Sequence, residues 1–198
     1  AEAYKKRAPG GIAWGYGFAT VGFSRRVTYF DDLSKRPGAV KNSTSALSGH
    51  SAMYGNTNDD MFAGYEAGTD SFVNLLYTFD KAGKLTGALI NVPCPSQNDE
   101  GIDRLSASFW HDTRELIRKK YGNIHVLGQC AAAGDLAPRQ LHYKTAEARR
   151  YQLKYGDKPK SGEDFRRRDI AERIGAAFDE ALSWAKKDIR TDLPVVHK

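Results

Sequence analysis

The fold is decided by one stretch that opens with LTGALINVPCPSQ (85–97) and closes with NIHVLGQCAAAGDLAP (123–138). Each of these two segments begins as an apolar run typical of a buried strand. A cysteine follows each apolar run, Cys94 in the first segment and Cys130 in the second. In open α/β sheets, ligands bind at the carboxyl ends of the strands. We therefore expect a functional site where these two cysteine-bearing ends meet.

The same stretch predicts the central part of a sheet. Strands are expected at 85–92 and 124–127, and the apolar residues of 105–121 have helical spacing. A strand, a crossover helix and a strand of these lengths predict a right-handed parallel unit. The β-rich segment 71–79 ends in the turn-forming residues 80–83, which predicts an antiparallel partner for the first strand.

Flanking segments extend this pattern on both sides. Apolar residues alternate along 10–30 with a period of two, and glycines interrupt this alternation. The pattern predicts one or two strands with a bend near Gly22. The polar segment 31–58 predicts a long loop. Helices are predicted at 145–155 and at 163–187.

The start of the last helix carries a capping signal. Ser161 and Asp164 stand at the spacing of a capping box, in which two side chains satisfy the free backbone donors of a helix. The whole pattern predicts an α/β fold: a mixed sheet with at least one right-handed βαβ unit and flanking helices.

Length and composition are those of a globular protein. With 198 residues, 40% hydrophobic and 27% charged, the chain is long enough for one ordinary domain. No run approaches the roughly 20 apolar residues that cross a bilayer, and AEAYKKRAPGG (1–11) lacks the apolar region of a signal peptide. Two cysteines in such a chain do not predict a disulfide scaffold.

The net charge of +6 is concentrated in one region. Between Arg139 and Arg173 there are eleven Lys and Arg residues against six Asp and Glu residues. Such a region can bind phosphate or anionic lipid headgroups, or it can be the solvated face of helices. RNP motifs and zinc-knuckle spacings are absent, so no nucleic-acid partner is expected.

The cysteines are the first candidate site residues. Cys94 could be a zinc ligand, a nucleophile activated by a lowered thiol pKa, or a buried small residue at a strand end. Cys130 has the same options, but it precedes three alanines and is predicted to be packed. If the two strands are neighbours, the sulfurs could also form a disulfide.

Polar residues of the strand-end loops complete the candidate site. Asp135 in the Gly134–Asp135 turn could orient a substrate hydroxyl, or it could bond only to its own backbone. The neutral groups suited to hydrogen bonding with a substrate are Ser96, Gln97 and Gln129. Arg139 and His142 follow the turn and could meet an anionic group, for which Arg25 and Arg26 are weaker candidates.

The order of these pieces resembles the amino-terminal catalytic domain of the neutral (non-lysosomal) ceramidases, which are zinc amidases that release fatty acid from ceramide. The resemblance runs from about Asn58 to His197. It includes a strand ending at Cys94–Pro95, a helix entered at Ser106–Ala107, and a long final helix, RDIAERIGAAFDEAL. The turn Gly134-Asp135-Leu136-Ala137-Pro138 is its most specific part.

Three departures from the family pattern limit what the resemblance implies. The zinc-binding histidine of the family falls on Cys94, and the nucleophilic serine of the Gly-Asp-x-Ser-Pro motif falls on Ala137. The first zinc motif, His-x-His followed by Ser-Gly, would precede residue 1, and the carboxylate and tyrosine ligands would follow residue 198. The chain is therefore expected to be either a single α/β domain over 1–198 or the central segment of a larger ceramidase-like domain.

The resemblance implies a ceramidase-like hydrolase of an amide, ester or glycosidic bond, assisted by zinc. Asp135, Cys94 and Arg139 are its expected catalytic residues, with Cys94 also the expected metal ligand. The expected partners are a small-molecule, lipid or glycan substrate and the remainder of the same domain, and an extracytoplasmic location, periplasmic or secreted, is implied. Two alternatives remain: a non-catalytic member that binds a lipid or glycan, and a basic polyanion-binding domain.

Overall fold

The computed structural model describes residues 2–39, 49–156, 163–194 and 196. In chain order, its helices and strands are α1 (Glu2–Lys5), β1 (Gly10–Phe18), β2 (Phe23–Ser24), β3 (Arg26–Tyr29), β4 (Ser51–Met53), β5 (Phe62–Tyr65), β6 (Phe72–Asp80), β7 (Leu85–Val92), α2 (Phe109–Tyr121), β8 (His125–Cys130), β9 (Leu136–Ala137), α3 (Lys144–Tyr155) and α4 (Glu163–Ala185).

The main sheet is mixed, as the sequence predicts. Its four strands lie in the order β1-β6-β7-β8. The pairs β1–β6 and β6–β7 are antiparallel, and the pair β7–β8 is parallel. Helix α2 makes the crossover between these two parallel strands, so the predicted βαβ unit is present. The α/β class is confirmed.

Helices α2 and α4 pack on one face of this sheet, and the main core lies between the helices and the sheet. The core includes Ile90 of β7 and Ile174 of α4, both with no exposed surface. Tyr77 of β6 contacts the ring of Phe178 with the ring centres 5.0 Å apart. The Tyr77 hydroxyl donates to the Phe178 carbonyl at 2.8 Å, which satisfies the one polar atom that this side chain buries. The opposite face of the sheet has no such cover from the described residues.

The remaining short strands form two small sheets that the sequence did not predict. One has the order β4-β3-β5, and the other joins β2 to β9. The loop predicted over 31–58 therefore contains a strand, Ser51–Met53, besides the 3₁₀ turn Leu33–Lys35. Strands of two to four residues are too short to show a clear period of two.

Two sequence features lie outside the described residues. One is the part of the predicted loop at 40–48. The other is the predicted capping contact between Ser161 and Asp164.

Candidate functional site at the ends of β7 and β8

The carboxyl ends of β7 and β8 meet at one edge of the main sheet. Val92, the last residue of β7, is the register partner of Cys130, the last residue of β8. The backbone N–H of Ala131 donates to the Val92 carbonyl at 2.8 Å, which extends the pairing by one residue. The expected meeting of the two strand ends is therefore present.

Cys94 lies in the main core at this edge. Its side chain has no exposed surface, and its thiol donates to the Val21 carbonyl at 3.3 Å. Burial, with a smaller contribution from Cys130, raises the pKa of the Cys94 thiol to about 12. The thiol is therefore neutral near pH 7, whereas a cysteine nucleophile attacks as a thiolate. This geometry favours the packing interpretation of Cys94 over the catalytic and metal-binding ones.

Cys130 has the opposite environment. It is exposed, although the sequence predicted it to be packed, because β8 is the edge strand of the sheet. Its thiol donates to the Ala131 carbonyl at 3.2 Å. Both cysteines are free thiols, so the disulfide considered from the sequence is not formed.

The Gly134–Asp135 turn is held by the strand that follows β1. Residues of β9 pair with β2, and the backbone N–H of Arg25 donates to the Asp135 carbonyl at 2.9 Å. The Arg25 side chain reaches the same turn, where its Nη2 donates to the Gly134 carbonyl at 2.6 Å. Within the described residues, the carboxylate of Asp135 has no hydrogen-bond or ion-pair partner, so it is available to a ligand.

Arg139 lies just beyond this turn and is only partly neutralised. Its Nη2 forms an ion pair with Glu100 at 2.9 Å, and its guanidinium lies 5.8 Å from the ring centre of Tyr54. Tyr54 in turn donates its backbone N–H to the carbonyl of Arg25 at 2.6 Å. The Nε atoms of Arg25 and Arg139 are buried without a hydrogen-bond partner among the described residues. Arg25 thus contacts the turn directly, and Arg139 lies just after β9 in an ion pair with Glu100.

His142 belongs to a different environment. Its ring stacks on Phe62, with centres 5.7 Å apart and planes 11° apart. Phe62 packs against the small second core around β3, which also contains Leu141. The Nδ1 atom of His142 is buried and has no hydrogen-bond partner within the described residues. His142 is therefore part of an aromatic cluster beside the turn.

The neutral polar candidates are spread along the two strand ends. Ser96 is exposed in the loop after β7, and the backbone N–H of Gln97 donates to the Pro95 carbonyl at 2.8 Å. Gln129 lies on β8 opposite Asn91, on the sheet face away from α2. The structure thus brings Arg25 to the Gly134–Asp135 turn and places Gln129 on the sheet face away from α2.

Sequence reasoning missed an ion pair in the exit loop of β7. The Asp99 side chain is only 5% exposed and accepts from Arg167 of α4 at 2.8 Å and from Ser106. Burial alone would raise the pKa of Asp99, but the hydrogen bonds from Ser106, Arg167 and Asn98 outweigh it and hold the pKa below its usual value. Next to this pair lies a cleft of about 370 Å³ that Arg104 and His111 help to line. A polar run after a strand was the only signal in the sequence.

The described residues do not fit a zinc ion. They contain no group of three or more His, Cys, Asp or Glu side chains placed to hold a metal. The one predicted ligand, Cys94, is fully buried, and its thiol donates to the Val21 carbonyl.

The basic region at 139–173 is largely neutralised. Seven of its nine described Lys and Arg side chains lie within ion-pair distance of a carboxylate: Arg139, Arg150, Lys154, Arg166, Arg167, Arg168 and Arg173. Asp169, which is 1% exposed, receives three of these cations. Most cations of this region are therefore paired with carboxylates within the fold, which argues against a polyanion-binding surface.

Comparison with known proteins gives similarity at the level of structure only. No protein family matches the sequence, and no curated protein matches it. Neutral ceramidase from Pseudomonas aeruginosa matches with a TM-score of 0.55 and 22% identity, over 93% of this chain and 24% of that one. A ceramidase complexed with C2 matches with a TM-score of 0.54 and 20% identity over the same shares. The fold is ceramidase-like.

The ceramidase-like fold extends further than the sequence resemblance. That resemblance was confined to the segment from Asn58 to His197, whereas the structural match covers 93% of the chain. At these identities the likeness establishes the fold alone. The chain spans about a quarter of the length of the ceramidase structures that it matches.

Proposed function

We propose that this chain forms the substrate-binding edge of a ceramidase-like hydrolase of an amide, ester or glycosidic bond. The observation that carries the proposal is the Gly134–Asp135 turn, where the Arg25 guanidinium donates to the Gly134 carbonyl and the Asp135 carboxylate has no partner among the described residues. This group lies at the carboxyl edge of a sheet, which is where α/β folds bind ligands. The ceramidase-like fold supports the reaction class.

Each residue of the turn has a defined role in this proposal. Arg25 and Arg139 bind the polar or anionic end of the substrate, since guanidinium donors in a partly buried site form strong charge-assisted hydrogen bonds. Asp135 accepts a hydrogen bond from a substrate hydroxyl or amide N–H and orients the scissile group. The polar groups of Ser96 and Gln97 extend the same edge.

The group that attacks the scissile bond comes from elsewhere in the protein. Ala137 is fully buried and has no hydroxyl, and the Cys94 thiol is neutral at pH 7. Because the described residues do not fit zinc, a zinc ion would need its ligands from other parts of the domain. A lipid substrate and an extracytoplasmic location belong to the same proposal. Among the described residues, no helix is long and apolar enough to cross a membrane.

A second candidate function is binding of a lipid or glycan without catalysis. Ala137 and Cys94 favour it directly, since both positions at which the resemblance places reactive groups hold unreactive ones. In that case the turn would bind the same ligand, and no bond would be cleaved.

Both candidates can be tested on the complete gene product that contains these residues. Hydrolysis of a fluorescent ceramide, short-chain acyl amides, p-nitrophenyl esters and p-nitrophenyl glycosides would be measured for the wild type and for Asp135→Asn and Arg139→Gln. Asp103→Asn, which changes an exposed carboxylate outside the turn, is the matched control. We expect about a 100-fold loss of turnover for Asp135→Asn, as for loss of a group that orients the substrate, and no change for the control.

The remaining outcomes separate the candidates. Ligand binding that Arg139→Gln weakens, without turnover by the wild type, would establish the binding function instead. Turnover that survives both substitutions at the turn would contradict the proposed site. Zinc content measured by mass spectrometry adds a further criterion, since stoichiometric zinc lost in Cys94→Ala would restore the metal-ligand role of Cys94.

A further inference from the structure

The face of the main sheet that α2 and α4 leave uncovered is built like a protein interior. Four register partners, one from each strand, form an apolar row across it: Trp14, Leu76, Leu89 and Leu127. The two ends of this row are open to solvent, with Trp14 52% and Leu127 60% exposed. An apolar residue from every strand on one face is the pattern of a sheet that is covered on both sides.

Aromatic side chains extend this apolar surface along β1 and β6. Tyr16, Phe18 and Phe72 are 50%, 63% and 46% exposed, and their rings contact one another at centre distances of 4.9 to 5.7 Å. A half-exposed aromatic side chain leaves on the order of 100 Å² accessible to solvent. With the apolar row, the patch reaches on the order of 500 Å², near the upper limit of what monomeric proteins expose.

A polar row lies beside the apolar one on the same face of the sheet. Asn74, Asn91 and Gln129 are register partners on β6, β7 and β8. The Oδ1 atom of Asn91 is already buried, although no described residue donates to it. Leaving such an acceptor without a donor costs about 1–3 kcal/mol.

We propose that this face is the docking surface for a second β-sheet supplied by the same polypeptide outside residues 1–198. That sheet would pack about 10 Å above the first, with an apolar row against Trp14 and Leu127 and a donor opposite Asn91. The same polypeptide is the favoured source because the ceramidase structures that match this chain have about three-quarters of their length outside the match. The proposal does not depend on hydrolysis.

Thiol accessibility in the complete gene product tests the proposal. Cysteines are introduced singly, as Phe18→Cys and Leu127→Cys on the uncovered face and Lys119→Cys on the exposed side of α2, each with Cys130→Ala. The rate of reaction with a charged maleimide is measured in native buffer and in guanidinium. We expect Phe18→Cys and Leu127→Cys to react at least 100-fold more slowly than Lys119→Cys in native buffer, and all three to react alike when unfolded.

Each alternative occupant of the face gives a distinct result. Equal native rates at all three positions would overturn the proposal. Protection that disappears on dilution, together with a dimer mass by light scattering, would assign the face to a second copy. Protection that requires added oligosaccharide would assign it to a glycan, and a complete gene product that consists of these 198 residues alone would also overturn the proposal. Each cysteine replaces a side chain that is exposed in this structure, so the variants should fold. The circular dichroism spectrum of each variant checks this expectation.

Discussion

Strands β7 and β8 end side by side at one edge of the sheet, and each has a cysteine at or just beyond its end, but the environments of the two cysteines differ. After β7, Cys94 lies in the main core with a thiol pKa raised by burial to about 12. At the end of β8, Cys130 is exposed and leads into the open turn around Asp135. The difference follows from strand position, since β7 is central and β8 is an edge strand.

The end of β7 is sealed by the segment between β1 and β2. The carbonyl of Val21 accepts from the Cys94 thiol, and a Cβ at Gly22 would lie 2.3 Å from the Pro93 carbonyl oxygen. Nothing described lies within 4 Å of the corresponding position at Gly134. A rigid, covered strand end thus lies beside an open one, and the open end carries the proposed site.

The largest expected effect comes from placing a carboxyl group at each strand end. Cys94→Asp should reduce the free energy of unfolding by on the order of 4 kcal/mol, because the new group is buried without a cation to compensate it. Cys130→Asp should change it by less than about 0.5 kcal/mol, as exposed substitutions do. Urea unfolding followed by circular dichroism measures both. Similar losses for the two variants would show that the contrast between the strand ends is wrong.

Glycine substitutions give the next largest difference. Gly22→Ala should cost about 1–3 kcal/mol, since the new methyl group would collide with the Pro93 backbone. Gly134→Ala should be nearly neutral because the space around that position is open. Thermal unfolding of the two variants provides the measurement. A neutral Gly22→Ala would mean that the segment before β2 does not hold the end of β7 closely.

The sequence was sufficient to predict the strands and helices that have a long hydrophobic pattern. The strand at 85–92 is observed at those residues, and the helix predicted at 163–187 ends at Ala185. These elements bury one face over many residues, so periodicity alone identifies them. The meeting of Cys94 and Cys130 at one edge also followed, because a parallel βαβ unit brings both carboxyl ends to the same side.

The candidate site depended on contacts that no local pattern encodes. Arg25 reaches Gly134 across 109 positions of sequence, and Asp99 pairs with Arg167 across 68. Both contacts join loops or short strands whose relative position is fixed only by the packed sheet. The packing predicted for Cys130 failed for the same reason, since a run of small residues does not reveal whether its strand is central or at an edge.

The pH dependence of stability should also report the burial of the Cys94 thiol. An unfolded cysteine loses its proton near its ordinary pKa of 9.0, whereas the folded Cys94 keeps its proton up to a pKa of about 12. The unfolded state therefore gains over the folded state as the pH rises above 9.0. Stability should fall by up to about 1.4 kcal/mol per pH unit from this group.

Substitution isolates this contribution from that of the buried tyrosines. Burial also raises the pKa of Tyr77 and Tyr151, so some loss of stability at alkaline pH will remain in any variant. Cys94→Ala should reduce the slope between pH 9 and pH 10 relative to the wild type. Urea titrations at pH 8, 9 and 10 supply the slopes. An unaltered slope in Cys94→Ala would mean that this thiol ionises in the folded protein.

The smallest expected effect concerns the ion pair between Arg139 and Glu100. Their side chains are 38% and 47% exposed, so solvent screens the pair. A double-mutant cycle with Arg139→Gln and Glu100→Gln should give a coupling energy of about 0.2–1 kcal/mol that declines in 0.5 M NaCl. Arg139 is therefore nearly dispensable for folding.

A loss of ligand binding or turnover in Arg139→Gln greater than about tenfold would exceed what this ion pair contributes to stability, and it would place the guanidinium in contact with the ligand. A coupling energy above about 2 kcal/mol would instead identify Arg139 as a structural residue of the β7 exit loop.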